Sequence, residues 1–229
     1  ILVLHDQHLT DAELVEFGKC FGDIEKSRVI SPLSGRDDIM VISNIREDGK
    51  PIGLLPDGEM WFHHDMLHVE FPHKGTCLYS VEIPSHGGET IFANMYSAWE
   101  TLPDDLKRAV AGRKAVNIFE YTDTEGYGAS AMELFAEVPP GSKHYAHPIV
   151  RTHPDSGASA LYLGRKTNSR INELPAAESA KLLDYLWAHC TQPQFVLRHR
   201  WRPGDVLLWD NRATMHFAND DYGTAERKM

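Results

Sequence analysis

Cysteine is scarce in this chain, and the scarcity narrows its chemistry. Cys20, Cys77 and Cys190 are odd in number, far apart and outside any CxxC pair. They argue against a disulfide framework or a cysteine-rich zinc site and point to a reducing cytoplasm. Basic charge is also short, with 23 Lys and Arg against 33 Asp and Glu, a formal net charge of -10. A field of that sign repels phosphate backbones, so no nucleic-acid partner is expected. No apolar run approaches the roughly 18–20 residues of a membrane-spanning helix, so no membrane partner is expected either. Neither GxGxxG nor a P-loop pattern occurs, which leaves a dinucleotide or nucleoside-triphosphate site without support. No basic stretch leads into an apolar core near Ile1, so no secretory signal is read there.

What is present is ordinary for a globular protein: 42% hydrophobic and 24% charged residues in 229. That length suits one domain, residues 1–229, with a substantial core. Both ends read as cut edges of a longer protein, because ILVL at the start looks like a strand and AERKM at the end leads into nothing. Thr10-Asp11-Ala12-Glu13 is a capping box, and Leu14, Phe17 and Phe21 follow at helical spacing, which predicts a short helix over 11–21. Short β-like runs are expected at Arg28–Ile30, Ile39–Ser43, Trp61–Met66, Thr76–Ile83 and Thr90–Ala93. Asn94 can cap a helical stretch reaching about Ala111, with Pro103 opening its second half. A strand is expected at Lys114–Glu120. Residues 122–143 lack a period and suit a lid or loop. Strands then resume at Tyr145–Arg151 and Ala160–Leu163, before a helix over Pro175–Cys190. The end reads as strand again at Gln194–His199, Asp205–Trp209 and Ala213–Phe217. Many short strands with grouped helices predict a mainly β fold with flanking helices, a sandwich or jelly roll.

The most informative segment is Trp61-Phe62-His63-His64-Asp65-Met66. On a strand, Trp61, His63 and Asp65 share one face, with alternate residues roughly 6.5–7 Å apart. An imidazole and a carboxylate so placed can converge on one ion, the start of the two-histidine, one-carboxylate triad of non-haem iron oxygenases. His216 is the candidate third ligand, since a jelly roll brings a late strand beside an early one. His64 is expected on the opposite face, and His68 and His73 on loops. Gly87-Gly88-Glu89-Thr90 allows a tight turn before a strand and offers the Thr90 hydroxyl as a donor. Arg227 lies eleven residues beyond His216, across a turn. A return strand there would run antiparallel beside the His216 strand, with a guanidinium suited to holding a distant carboxylate.

These pieces, in this order, resemble the taurine dioxygenase and aryloxyalkanoate dioxygenase family of iron(II)- and 2-oxoglutarate-dependent oxygenases. The resemblance runs along nearly the whole chain. It includes LHDQHLTDAEL, HHD at 63–65, IPSHGGETIFANMYSAWETLP, HPIVRTHPDSGASALYLGRK and WDNRATMHFANDDYGTAERKM. The ordered combination of HxD, GGxT, WDNRxTxH and a following arginine is highly specific. By that resemblance His63, Asp65 and His216 are the iron ligands, while Thr90 and Arg227 hold the far carboxylate of 2-oxoglutarate. The family fold is a double-stranded β-helix, a jelly-roll core braced by helices.

The resemblance implies hydroxylation of a small, anionic organic substrate with molecular oxygen, releasing succinate and carbon dioxide. It also implies self-association into a homo-oligomer. Two departures bear on the substrate. The arginine with which taurine enzymes grip the substrate anion would fall beyond Met229. Glu59 stands where those enzymes place an amide side chain, and a carboxylate beside a sulfonate is repulsive, which argues against taurine. A zinc-dependent hydrolase on the same triad and a non-catalytic jelly-roll binding module are the alternatives.

Overall fold

Two runs of strand-forming residues, TIFAN at 90–94 and VLLWD at 206–210, set the layering of the molecule. The computed structural model describes residues 1–26, 35–53, 61–119, 143–164 and 168–229. Within these the chain is mainly strand, with few helices. The predicted strand at Arg28–Ile30, the 122–143 loop up to residue 142, and Glu59 lie outside the described residues.

The first sheet is antiparallel, with β1 (Leu2–Leu4) and β4 (Gly75–Tyr79) flanking β12 (Val206–Asp210). The second is also antiparallel and places β5 (Thr90–Asn94) between β11 (Val196–His199) and β13 (Thr214–Ala218). In β5 the alternation sorts the side chains. Ile91 and Ala93 face one way, Thr90 and Phe92 the other. Ala93 and Met215 join a large apolar cluster with the helices α2 (Met95–Glu100) and α4 (Ala176–Cys190). Phe92 on the other face packs with Trp201, Leu207, Trp209 and Met229, so a mostly aromatic layer fills the space between the two sheets. The candidate functional residues sit at the margin of that layer.

Beside this pair lie smaller sheets. β6 (Lys114–Phe119) runs between β10 (Ser169–Ile171) and β7 (Lys143–Pro148). β8 (Val150–Thr152) pairs with β9 (Ser159–Leu161), and β2 (Arg46–Glu47) pairs with β3 (Lys50–Pro51). The helices form where the caps predict. The Thr10 hydroxyl accepts the Glu13 amide and Glu13 reaches back to the Thr10 amide, starting α1 (Asp11–Lys19). The Asn94 side chain accepts from the amides of Tyr96 and Ser97 to start α2.

Four expectations need correction. The stretch from Asn94 is two helices: α2 ends at Glu100, and α3 (Asp104–Val110) starts after Pro103, which cannot extend the preceding turn. Phe21 lies beyond α1 and is exposed, so Val15 is the helix's buried anchor. Ile39–Ser43 forms single bridges rather than a strand. The Arg227 segment does not return beside β13: Lys228 bridges Ser43 on one side and Glu82 on the other. Pairings of that sequence separation leave no local periodicity to read.

Candidate active site

The Trp61–Met66 segment is not a strand. Its one β feature is a bridge between His63 and His216, each amide donating to the other's carbonyl at 2.9 Å. That bridge extends the second sheet by one residue at the outer side of β13. Directly opposed residues point to the same face, so both imidazoles emerge together, with ring centroids 4.3 Å apart. Asp65 then arrives by a turn rather than by strand alternation. The chain bends over residues 65–68, with Met66 in the left-handed region at φ 58°. His64 takes the opposite side, as expected, with Nδ1–H donating to the Leu163 carbonyl at 2.8 Å.

The geometry is convergent. Asp65 Oδ1 lies 3.5 Å from His63 Nε2 and 3.6 Å from His216 Nε2. One ligand atom from each of the three residues lies within 4.8 Å of the others, and among the described residues no other such cluster of three occurs. His63 Nδ1 is 2.7 Å from the Trp61 carbonyl, which can only accept. The proton therefore sits on Nδ1, and the Nε2 lone pair faces Asp65. Two nitrogens and a carboxylate oxygen around one point are a donor set that fits a divalent transition metal.

Asp65 is held by residues that the sequence reading missed. Its Oδ2 accepts from Thr76 Oγ1 at 2.6 Å and from Asn211 Nδ2 at 3.1 Å, leaving Oδ1 for the histidines. Thr76 reaches it because β4 pairs Thr76 with Trp209, placing both on the inner face. Asn211 is fully buried in the turn between β12 and β13. That turn is braced: Arg212 makes paired bonds to the Asp210 carboxylate at 2.9 and 2.6 Å, and His153 Nε2 lies 2.9 Å from the same carboxylate. Burial would push the Asp65 carboxyl up. Without a metal, the positive charge that His216 and His63 carry when protonated, together with the Thr76 hydrogen bond, outweighs it and holds the group well below the usual carboxylate range. Burial also pushes the His64 imidazole down to about 4, so it is neutral near pH 7.

Thr90 and Arg227 lie on different segments that meet the same aromatic layer. Thr90 is buried on β5, two residues from Phe92 and on the face that also carries His216. Its Oγ1 accepts the indole N–H of Trp201 at 2.9 Å. Arg227 is only 5% exposed, anchored by Ser43 Oγ donating to its carbonyl and by its amide donating to Asn44 Oδ1. Two residues on, Met229 packs in the layer with Trp201 and Phe92. Among the described residues the Arg227 Nε–H has no hydrogen-bond partner, and the guanidinium carbon sits 5.7 Å from the Tyr222 ring centroid. A buried guanidinium nitrogen left unpaired in this way calls for an anion.

Comparisons with known proteins identify the family. The model of the taurine catabolism dioxygenase TauD, TfdA family matches residues 1–229. The chain is 31% identical over 242 residues to the (S)-phenoxypropionate/alpha-ketoglutarate-dioxygenase of Sphingobium herbicidovorans, covering all of this chain (100%) and 79% of that protein. It is 38% identical over 170 residues to the alpha-ketoglutarate-dependent sulfate ester dioxygenase of Pseudomonas putida, covering 72% of this chain and 56% of that protein. The crystal structure of AAD-2 in complex with Mn(II) and N-oxalylglycine superposes with a TM-score of 0.75 at 29% identity, over 99% of this chain and 82% of that one. With a family match along its whole length, the chain belongs to the taurine catabolism dioxygenase TauD, TfdA family.

Proposed function

We propose that the protein is an iron(II)- and 2-oxoglutarate-dependent dioxygenase that hydroxylates a small anionic organic substrate. The observation that carries the reading is the convergence of His63 Nε2, Asp65 Oδ1 and His216 Nε2, with a buried, incompletely paired Arg227 in the same core. His63, Asp65 and His216 would hold the metal, and Thr90 and Arg227 the distal carboxylate of 2-oxoglutarate. When bound, iron(II) and 2-oxoglutarate supply the oxidising power: one atom of molecular oxygen enters a substrate C–H bond as the ketoacid becomes succinate and carbon dioxide.

The chain's own residues do the positioning. Thr76 and Asn211 fix the rotation of the Asp65 carboxylate, so Oδ1 keeps facing the imidazoles. The Trp61 carbonyl fixes the His63 tautomer. Arg227 provides a planar fork of donors that matches a carboxylate, and Thr90 adds a single donor from another strand. Phe92 and Trp209 pack against the His216 ring, with centroids 6.3 and 4.7 Å away, and exclude water on that side. A zinc hydrolase would leave the buried guanidinium with nothing to hold.

The same reading carries a double-stranded β-helix core in which the two facing sheets are the halves of the jelly roll, within one oxygenase domain over 1–229. It also carries a homo-oligomer in the cytoplasm, a setting compatible with three free cysteines. Among the described residues no helix is long and apolar enough to cross a membrane. An anionic substrate is supported by the relatives' names, since phenoxypropionate and sulfate esters both carry a negative charge.

The test is oxygen consumption and succinate release with iron(II) and 2-oxoglutarate, over a panel of sulfate esters, aryloxy acids, sulfonates and small carboxylates. His63→Ala, Asp65→Ala and His216→Ala should each abolish turnover. Full activity in any one of them, or turnover without 2-oxoglutarate, overturns the assignment.

A further inference from the structure

Thr90 is 2% exposed, and a threonine hydroxyl carries one proton and two lone pairs. Trp201 Nε1–H can only donate, and at 2.9 Å it fills one lone pair of Thr90 Oγ1. The hydroxyl proton therefore cannot point towards Trp201. Among the described residues that proton has no acceptor. Among the described residues, a buried donor is thus turned away from its one partner and left unmatched.

Trp201 is itself fixed in place. It is 5% exposed, packed among Phe92, Leu207, Trp209 and Met229. The His199 ring meets it edge-on, with centroids 4.6 Å apart and planes at 90°. His199 pairs with Thr90 across β11 and β5, and its Nε2 lies 3.3 Å from the fully buried Asp205 carboxylate. The indole thus belongs to the same rigid layer as Met229, two residues beyond Arg227.

We propose that Trp201 is a positioning residue for 2-oxoglutarate. Its indole N–H orients the Thr90 hydroxyl so that the O–H donates to the co-substrate's distal carboxylate alongside Arg227. The inference rests on the 2-oxoglutarate reading of Thr90. Accepting a hydrogen bond from the indole also polarises the hydroxyl and strengthens it as a donor. The carboxylate touches Thr90 and not Trp201, so a sequence motif built on contacts would pass over the tryptophan.

The test is a double-mutant cycle on binding of N-oxalylglycine to the Mn(II)-loaded full chain, measured by calorimetry, with Trp201→Phe, Thr90→Val and the double variant. Trp201→Phe keeps an aromatic ring and removes the N–H. It should weaken N-oxalylglycine about 3- to 10-fold, the size of one ordinary hydrogen bond. The 2-oxoglutarate KM should rise in parallel while the KM for the primary substrate stays put. In the Thr90→Val background the Trp201 change should have no further effect. Additive losses would mean that Trp201 acts through packing, and would overturn the inference. Weakening by Thr90→Val with no response to Trp201→Phe overturns it too, but leaves the proposed function standing. No response to Thr90→Val overturns both the inference and the assignment of Thr90. Should Trp201→Phe fail to fold, Trp201→Met, which fills the same apolar gap without a donor, replaces it in the cycle.

Discussion

Replacing Thr76 by valine tests whether the Asp65 carboxylate is held for a metal. Valine keeps the β-branched shape on β4 and deletes only the hydroxyl that donates to Asp65 Oδ2 at 2.6 Å. A charge-assisted bond of that length is worth about 1.5–3 kcal/mol. Asn211 Nδ2, at 3.1 Å from the same oxygen, remains and retains part of the orientation. Losses from removing such a supporting partner run about 10- to 100-fold in metal affinity, equivalent to about 1.4–2.8 kcal/mol. The measurement is Mn(II) binding by calorimetry or electron paramagnetic resonance, with metal-free thermal unfolding as a control for the fold. A dissociation constant within twofold of the wild type, in a variant that unfolds at the same temperature, would refute the reasoning.

Arg227→Met should weaken N-oxalylglycine binding to the Mn(II)-loaded protein by on the order of 100-fold or more. The metal-free protein should melt at the same temperature or higher, because a desolvated charge with an unpaired Nε is removed; unchanged affinity with a lower melting temperature would reassign Arg227 to structure. Asp210 sets an acid limb: burial pushes its carboxyl up, but the Arg212 and His153 hydrogen bonds outweigh that and hold it well below the usual range. A depressed folded-state value gives stability that is complete above the unfolded value of about 3.9 and is lost as pH falls through the lower folded value. Asp210→Asn should therefore lower stability at pH 7 and flatten its decline below about pH 4, read from urea unfolding across pH; an unchanged acid limb would remove Asp210 from the account.

How far the site was legible depends on whether chemistry or register placed each residue. HxD, the later histidine and the arginine are legible because few residue types can ligate a metal or hold a carboxylate, and their order narrows the choice. The strand expected to present Asp65 is nonetheless absent, since residues 61–66 form one bridge and a turn. A turn through Met66 at φ 58°, and not strand alternation, brings Asp65 Oδ1 to 3.5 Å from His63 Nε2. Thr76 became visible only through its pairing with Trp209, and Trp201 only through its bond to Thr90 from a partner 111 positions away. The Arg227 segment lies beside Ser43 and Glu82 and not beside β13, a choice that nothing local in the sequence selects. Capping, by contrast, is local chemistry, and Thr10 and Asn94 start their helices where their side chains predict.

The two halves of the site are prepared in opposite senses. At Asp65 and His63 the supporting bonds are in place before any ligand arrives: Asp65 Oδ2 has two donors and His63 Nδ1 a carbonyl. On the proposed co-substrate side donors are left over among the described residues, at Arg227 Nε and at the Thr90 hydroxyl. Net charge gives that asymmetry a consequence. A protein of formal charge -10 repels a dianion at long range, and salt screens that repulsion within about 8–10 Å in physiological buffer. On the proposed reading, affinity for 2-oxoglutarate would draw on the metal and on short-range donors in a buried setting, where screening is weak and unmet hydrogen-bonding capacity is costly. On the proposed reading these donors are what the distal carboxylate would meet, beside the packed layer that holds Phe92, Trp201 and Met229.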